Sequence, residues 1–351
     1  MSNRGILQRN TCGEEISIRQ ISAVILLLCA TVVAAGASIS GRNAAALSSQ
    51  KSVPAGKKAL PKAAEADPDE TSISMRHVIY HVLPNVALSI ESLDGVMVQA
   101  RPGQIISLDD PASFALQIHS AQSSISSAHL SALVNSYILP RAGTPVRDLS
   151  MTLNPDQTVS VTGTFHKLVD LHFTSRATLQ VTPGGNMRMH FFDMRVGRIL
   201  HESILDFLGM NVAKVAQPRN PRAFRVEGND MIFPISQMFP PPRIDGKLQS
   251  LSIAQGRLRL IFGGSPAAPS APPQQARSYV MFHGGSMRFG RLTMTPVEME
   301  LVNLKPASHF DFSMARYSEQ LVAGYSKSLP NGGLVVHMAG YKDVPPKRQK
   351  H

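Results

Sequence analysis

Apolar and polar residues alternate at two periods along this chain, and the best organised stretch, residues 124–262, uses both. Ser126 and Ser127, hydroxyl residues able to accept from the orphan amides at a helix start, precede Leu130, Leu133, Val134, Tyr137 and Ile138. The i, i+3, i+4, i+7, i+8 spacing is a single apolar stripe on a helix. Pro140 and Gly143 predict its end. A second helix is predicted where Leu200, Ile204, Leu205, Phe207, Leu208, Val212 and Val215 make a broader apolar face that Pro218 stops. Between the two, Val169, Leu171, Phe173, Ala177, Leu179 and Val181 take odd positions while Asp170, His172, Thr174, Arg176, Thr178 and Gln180 take even ones. That period of two is a strand with one greasy and one wet face.

Turn chemistry organises the rest. Asn154-Pro155-Asp156, Pro183-Gly184-Gly185-Asn186 and Glu227-Gly228-Asn229-Asp230 each separate alternating segments and predict hairpins. Asp94-Gly95 predicts a turn between two strands within 75–100, and 114–118 predicts a strand leading into the first helix. Met238-Phe239-Pro240-Pro241-Pro242 breaks the chain before strands at 248–253 and 258–262. After a stretch of Pro, Ala, Ser and Gln come strands near 279–282, 287–294 and 297–301, a helix over 312–325 and a strand at 334–338. A unit of about 65 residues buries a marginal core alone, so this last part is expected to pack on the main domain. The expected fold class is α+β, an antiparallel sheet whose apolar face is covered by helices. The expected division is 1–40 signal peptide or membrane anchor, 41–74 disordered linker, 75–263 main domain, 264–276 Pro-rich linker, 277–342 C-terminal extension and 343–351 basic tail.

The chain has 351 residues, 43% of them hydrophobic, and a formal net charge of +11, which attracts anionic partners. Nucleic acid is not expected: the basic residues are scattered, Trp is absent and no recognition motif is present. Residues 21–40, ISAVILLLCATVVAAGASIS, carry no charge and follow Arg4, Arg9 and Arg19. Ala35-Gly36-Ala37 offers a cleavage site for a signal peptide. The same run is long enough to cross the ~30 Å hydrocarbon layer as an anchor with a cytoplasmic N-terminus. Either way the body of the protein is expected outside the cytoplasmic membrane, in the periplasm or cell envelope. Cys12 and Cys29 are the only cysteines, so the exported part holds no disulfide. Residues 41–74 lack hydrophobic periodicity and read as a tether.

Candidate chemistry is sparse. His166, Asp170 and His172 share one parity, but on the polar side of a strand where such residues are ordinary. His77 and His81 have i, i+4 spacing without the intervening Glu of a metalloprotease. Gly284-Gly285-Ser286-Met287-Arg288 departs from a nucleophile elbow at its last position, where Arg replaces Gly, and predicts a hairpin turn instead. No enzyme activity, metal or cofactor is therefore expected. Met187, Met189, Met194, Met231, Met238, Met281, Met287, Met294 and Met299 lie in or near strands, and soft side chains of this kind suit a cavity that accepts chains of variable shape.

The runs ISSAHLSALVNSYIL, PVRDLSMTLNPDQTVSVTGTFHKLVDLHFTSRATLQVTPGGNMRMHFFDMRVG, ILHESILDFLG and FRVEGNDMIFPISQMFPPPRIDGKLQSLSIAQGRLRLIF follow one another in this order. The arrangement resembles bacterial LmeA-like phospholipid-binding proteins, of the tubular lipid-binding superfamily that also includes bactericidal/permeability-increasing protein. The resemblance implies a curved antiparallel sheet wrapped around amphipathic helices, with an elongated groove for acyl chains. The expected function is that of an exported, membrane-associated lipid-binding or lipid-transfer protein without catalysis. Its partners would be phospholipid or another acyl lipid and an anionic membrane surface. Leu130, Leu133, Val134, Tyr137 and Ile138, with Ile204, Leu205, Phe207 and Leu208, are the candidate groove lining. Met238, Phe239 and Arg243, in the proline-rich loop, are the candidates for docking on a bilayer. The alternatives are a cell-envelope structural or interaction protein that binds an anionic partner, and a hydrolase acting on envelope material.

Overall fold

The structure is a computed structural model that describes residues 70–139, 146–166, 170–197, 199–201, 224–263, 278–306 and 309–345. The signal or anchor segment, nearly all of the tether and the second predicted helix beyond residue 201 lie outside the described residues; the first residue of that helix, Leu200, belongs instead to a short strand, Ile199–His201. Among the described residues no helix is long and apolar enough to cross a membrane.

Strand β1 (Glu70–Leu83) and β2 (Val86–Gln99) form a long antiparallel hairpin. The expected linker therefore ends earlier than residue 74: Thr71 and Ile73 are already buried within β1. The turn falls at Pro84 and Asn85, not at Asp94-Gly95, which sit inside β2. Gly95 serves close packing there, since a Cβ at that position would lie 2.3 Å from the Gln117 carbonyl oxygen. This is the use of glycine where one backbone presses on another at a register shift. β3 (Ile106–Ser107) and β4 (Phe114–Ser126) follow, and β4 runs straight into helix α1 (Ser127–Leu133), continued by a π-helical turn over Val134–Ile138. Ser126 caps α1 by accepting from the His129 amide.

Next come β5 (Val146–Leu153), β6 (Thr158–His166), β7 (Asp170–Val181), β8 (Met187–Val196), β9 (Ile199–His201), β10 (Arg225–Glu227) and β11 (Asp230–Phe233). They make a second sheet in the order β10-β11-β8-β7-β6-β5, with β9 on β8. Its hairpins turn where Asn154-Pro155-Asp156, the 183–186 tetrapeptide and Gly228-Asn229 stand. β12 (Arg243–Asp245), β13 (Leu248–Ala254) and β14 (Arg257–Gly263) return to the first sheet.

The C-terminal part consists of β15 (Tyr279–Gly284), β16 (Met287–Phe289), β17 (Leu292–Met294), β18 (Val297–Asn303), β19 (Phe310–Phe312), α2 (Tyr317–Val322), β20 (Tyr325–Ser328) and β21 (Leu334–Met338). β15 pairs with the free side of β1, so the first sheet runs β13-β14-β4-β2-β1-β15-β18-β21-β20, with β12 parallel on β4 and β19 parallel on β1. The third sheet is β17-β16-β3. Gly284-Gly285-Ser286 carries the chain from the first sheet into this third one, so it is not the turn of a hairpin. The helix expected over 312–325 is shorter at both ends. Residues 310–312 are taken by pairing with β1, and Gly324 lies so close to the His337 carbonyl that a Cβ would come within 1.8 Å of it. The described residues are thus mostly strand with only short helices, a more sheet-dominated fold than the α+β class expected.

α1 sits against the otherwise unpaired edge of β5. The Leu153 amide donates to Ser127 Oγ (3.1 Å), the Met151 amide to Ser131 Oγ (2.8 Å), and the Leu149 amide to Asn135 Oδ1 (3.1 Å). Four helical residues rise about 6.0 Å and two strand residues about 6.7 Å, so side chains at i, i+4 and i+8 match every second amide of a strand. The helix thereby covers an edge that would otherwise template aggregation. Its opposite stripe, Leu130, Leu133, Val134 and Ile138, is buried in the core. The two large sheets are tied at β13: Gln157 both accepts from the Ile253 amide and donates to its carbonyl (2.8 Å each), and the Leu248 amide donates to the Gly185 carbonyl (3.0 Å).

Candidate functional site

An apolar cleft lies on one face of β1, β2 and β4, enclosing about 830 Å³ that includes open solvent at its mouth. Its existence depends on irregularities in all three strands. On β1 the cleft-facing residues are Ile73 and Met75, then Tyr80 and Val82; on β2 they are Leu88 and Ile90, then Leu93 and Met97. On β4 they are Phe114, Leu116 and Ile118, then Ala121 and Ser123. Each strand changes parity once, around His77, Glu91 and His119. His77 has a left-handed φ of 50°, and the β2–β4 register shifts between Ile90 and Ser92 and again between Asp94 and Gly95. An inserted residue bends a strand and re-aims the side chains that follow. Three such insertions side by side keep one continuous apolar face on strands of 13 or 14 residues.

The remaining walls come from Leu260 and Phe262 on β14, from Met314, and from the loop carrying Phe239, Pro240, Pro242 and Ile244. Proline offers no amide donor, so this loop presents carbon to the cleft without leaving orphan N–H groups there. Only Tyr80 and Ser123 bring polar side-chain atoms to the lining. The Tyr80 phenol has no hydrogen-bond partner among the described residues, and burial pushes its pKa up to about 12, so it stays neutral. Such a group can donate to a ligand oxygen in an otherwise apolar site.

Charge is confined to the reverse face of the sheet. Arg76 reaches both carboxylate oxygens of Asp94 (2.9 Å each), and Ser74 donates to the same carboxylate at 2.7 Å. Further along, Glu300 is buried, and loss of hydration raises its carboxyl to about 7.

Of the residues proposed from sequence to line a groove, Leu130, Leu133, Val134 and Ile138 are buried and Tyr137 packs partly buried against them. None of the five borders the cleft; they close the core beneath α1. Ile204, Leu205, Phe207 and Leu208 lie outside the described residues. Met238 and Phe239 are not presented at the surface but buried at 4% and 9% exposure, and Phe239 forms part of the cleft wall. A proline-rich segment flanked by strands folds inward when its apolar side chains find a sheet to cover. Arg243 is exposed and paired with Asp245 at 2.7 Å. His166 meets Asp170 across the β6–β7 hairpin, whereas His172 bonds to Thr164. His77 and His81 also part company: His81 pairs with Asp311 at 2.6 Å and stacks on Tyr341. Ser286 bonds only to Thr295 Oγ1 at 2.8 Å, with no base beside it.

Sequence reasoning missed the cleft lining on β1, β2 and β4. The apolar residues there are ordinary strand formers, and the parity changes that align them hide them from any single-period pattern. No protein-family model, curated protein or solved structure matches the chain.

Proposed function

We propose that this is an exported, membrane-associated lipid-binding or lipid-transfer protein that takes acyl chains into the cleft on β1, β2 and β4 and performs no chemistry on them. The observation that carries the reading is an unfilled cleft whose lining is apolar except for one phenol and one hydroxyl. Its composition is that of small-ligand sites, which are largely apolar and marked by few polar groups. Each methylene moved out of water contributes about 0.8 kcal/mol, so the gain grows with the length of acyl chain that the cleft takes in. The Tyr80 hydroxyl would hold an ester or headgroup oxygen. The net charge of +11 favours an anionic membrane surface as the place of loading. The sequence resemblance to LmeA-like proteins supports the same class of ligand, and on this reading the acyl chain lies along the strands and not beneath α1.

The test uses the full chain. An organic extract of the purified protein, read by mass spectrometry, should contain phospholipid, and the delipidated protein should take up a fluorescent phospholipid. Ser123→Phe should fill the cleft and abolish uptake with little change in melting temperature. An empty extract and no uptake would overturn the reading and leave an envelope interaction protein as the better description.

A further inference from the structure

Outside the cleft, the topology assembles a set of metal-ligating side chains that no spacing in the sequence announces. The antiparallel register of β1 and β2 pairs Arg76 with Ser92 and Val78 with Ile90, which sets His77 opposite Glu91. The parallel register of β1 and β19 pairs Val78 with Phe310, which sets His309 beside His77. Glu91, His77 and His309 therefore form one row across three adjacent strands. One ligand atom from each lies within 4.8 Å of the other two. His77 Nδ1 is 3.0 Å from Glu91 Oε1, and the His77 and His309 rings meet edge to face with centroids 5.9 Å apart.

The backbone holds these groups in place. His77 stands where β1 exchanges β15 for β19 as its neighbour, in the left-handed conformation that also shifts the strand's parity. The backbone at His309 is anchored: the Asn303 side-chain amide Nδ2 donates to its carbonyl at 3.0 Å, and the following Phe310 is fully buried. Solvent reaches the row, since the His77 and Glu91 side chains are 44% and 62% exposed. An ion could enter, and a water or a partner's ligand could complete its shell.

From this row we infer that His77, Glu91 and His309 bind a divalent transition-metal ion of the zinc class. Two imidazoles and one carboxylate suit Zn²⁺ or Co²⁺, whereas Ca²⁺ and Mg²⁺ prefer shells made wholly of oxygen. Bonds of about 2.0–2.1 Å place tetrahedral ligands roughly 3.3 Å apart, so side chains already within 4.8 Å reach that geometry by small rotations. A cross-strand ion pair alone would need only His77 and Glu91; the third ligand distinguishes the two accounts. The bound ion would pin the β1–β2 hairpin to β19, a strand far from it in the sequence. None of the three residues borders the cleft, so this site stands independently of the lipid reading.

The experiment uses full-length protein without a histidine tag, stripped with chelator and titrated with Co²⁺ and then Zn²⁺. Visible absorption of four- or five-coordinate Co²⁺ should saturate at one ion per chain and be displaced by Zn²⁺, which should also raise the melting temperature. His309→Ala and Glu91→Gln, both on exposed side chains, should each weaken binding by at least about tenfold while leaving the metal-free melting temperature unchanged. Absence of saturable binding overturns the inference. So does stoichiometric binding that both variants leave intact, which would put the ion elsewhere on the chain.

Discussion

The stripe on α1 and the cleft on β1, β2 and β4 both draw on Leu, Ile, Val and Tyr, but one is filled and the other is not. Beneath α1 the polar side of the helix is hydrogen-bonded to the edge of β5, which fixes the distance between helix and sheet and lets Leu130, Leu133, Val134 and Ile138 pack into the core. Over the cleft the covering element is a proline-rich loop, which has few amides to bond and spans the face without sealing it. Whether an apolar surface becomes core or site thus depends on the hydrogen-bonding capacity of what lies across from it, more than on its own hydrophobicity.

The comparison can be broken most directly at Leu133, which is 1% exposed. Leu133→Ala should cost about 2–5 kcal/mol in urea unfolding, because a closed site cannot collapse around the lost atoms. Val134→Trp should cost about 1–3 kcal/mol through overpacking, with no ligand to displace. If Val134→Trp is instead tolerated and lowers phospholipid uptake, the space beneath α1 is a second groove and the contrast fails.

How far these differences could be read from the sequence depends on the element. The hairpins around Asn154-Pro155-Asp156 and Gly228-Asn229, and a helix capped by Ser126, follow from local chemistry: a turn or cap needs only its own few residues. Asp94-Gly95 misled because glycine is used equally for turns and for close approach, and only the partner strand decides between them. The inward fold of Met238 and Phe239 likewise depends on a sheet whose strands lie far away in sequence. The row of Glu91, His77 and His309 exists only once two registers, one antiparallel and one parallel, are set.

The reverse face of the cleft sheet sharpens the contrast through pH. Glu300 has its carboxyl raised from 4.5 to about 7 by burial, so the folded state keeps its proton to higher pH than the unfolded chain does. Stability from this group is greatest below about pH 4.5, falls as pH rises toward 7 and stays reduced above it. Glu300→Gln should therefore stabilise the protein by up to about 3 kcal/mol at pH 8 and change little at pH 4.5, as read by thermal unfolding at the two pH values. The smallest effect on stability belongs to the cleft mouth. Ile244→Ser, on a half-buried residue, should lower stability by less than about 1 kcal/mol while reducing phospholipid uptake severalfold. Equal losses of stability at Ile244 and Leu133 would mean that the cleft is ordinary core.

The pairing of β15 with β1 also sets a clock. About 195 residues separate Leu83 from Tyr279, and one side of β1 has no lasting neighbour until the later strand arrives. At ribosomal speeds of roughly 5–20 residues per second, that edge waits about 10–40 s, far longer than a hairpin needs to form. The nascent chain would spend this interval with β1 and β2 already paired and a long strand edge exposed. The first sheet cannot be completed before most of the chain has been synthesised, and until then the edge of β1 over residues 72–80 stands open to any strand or partner that binds extended segments.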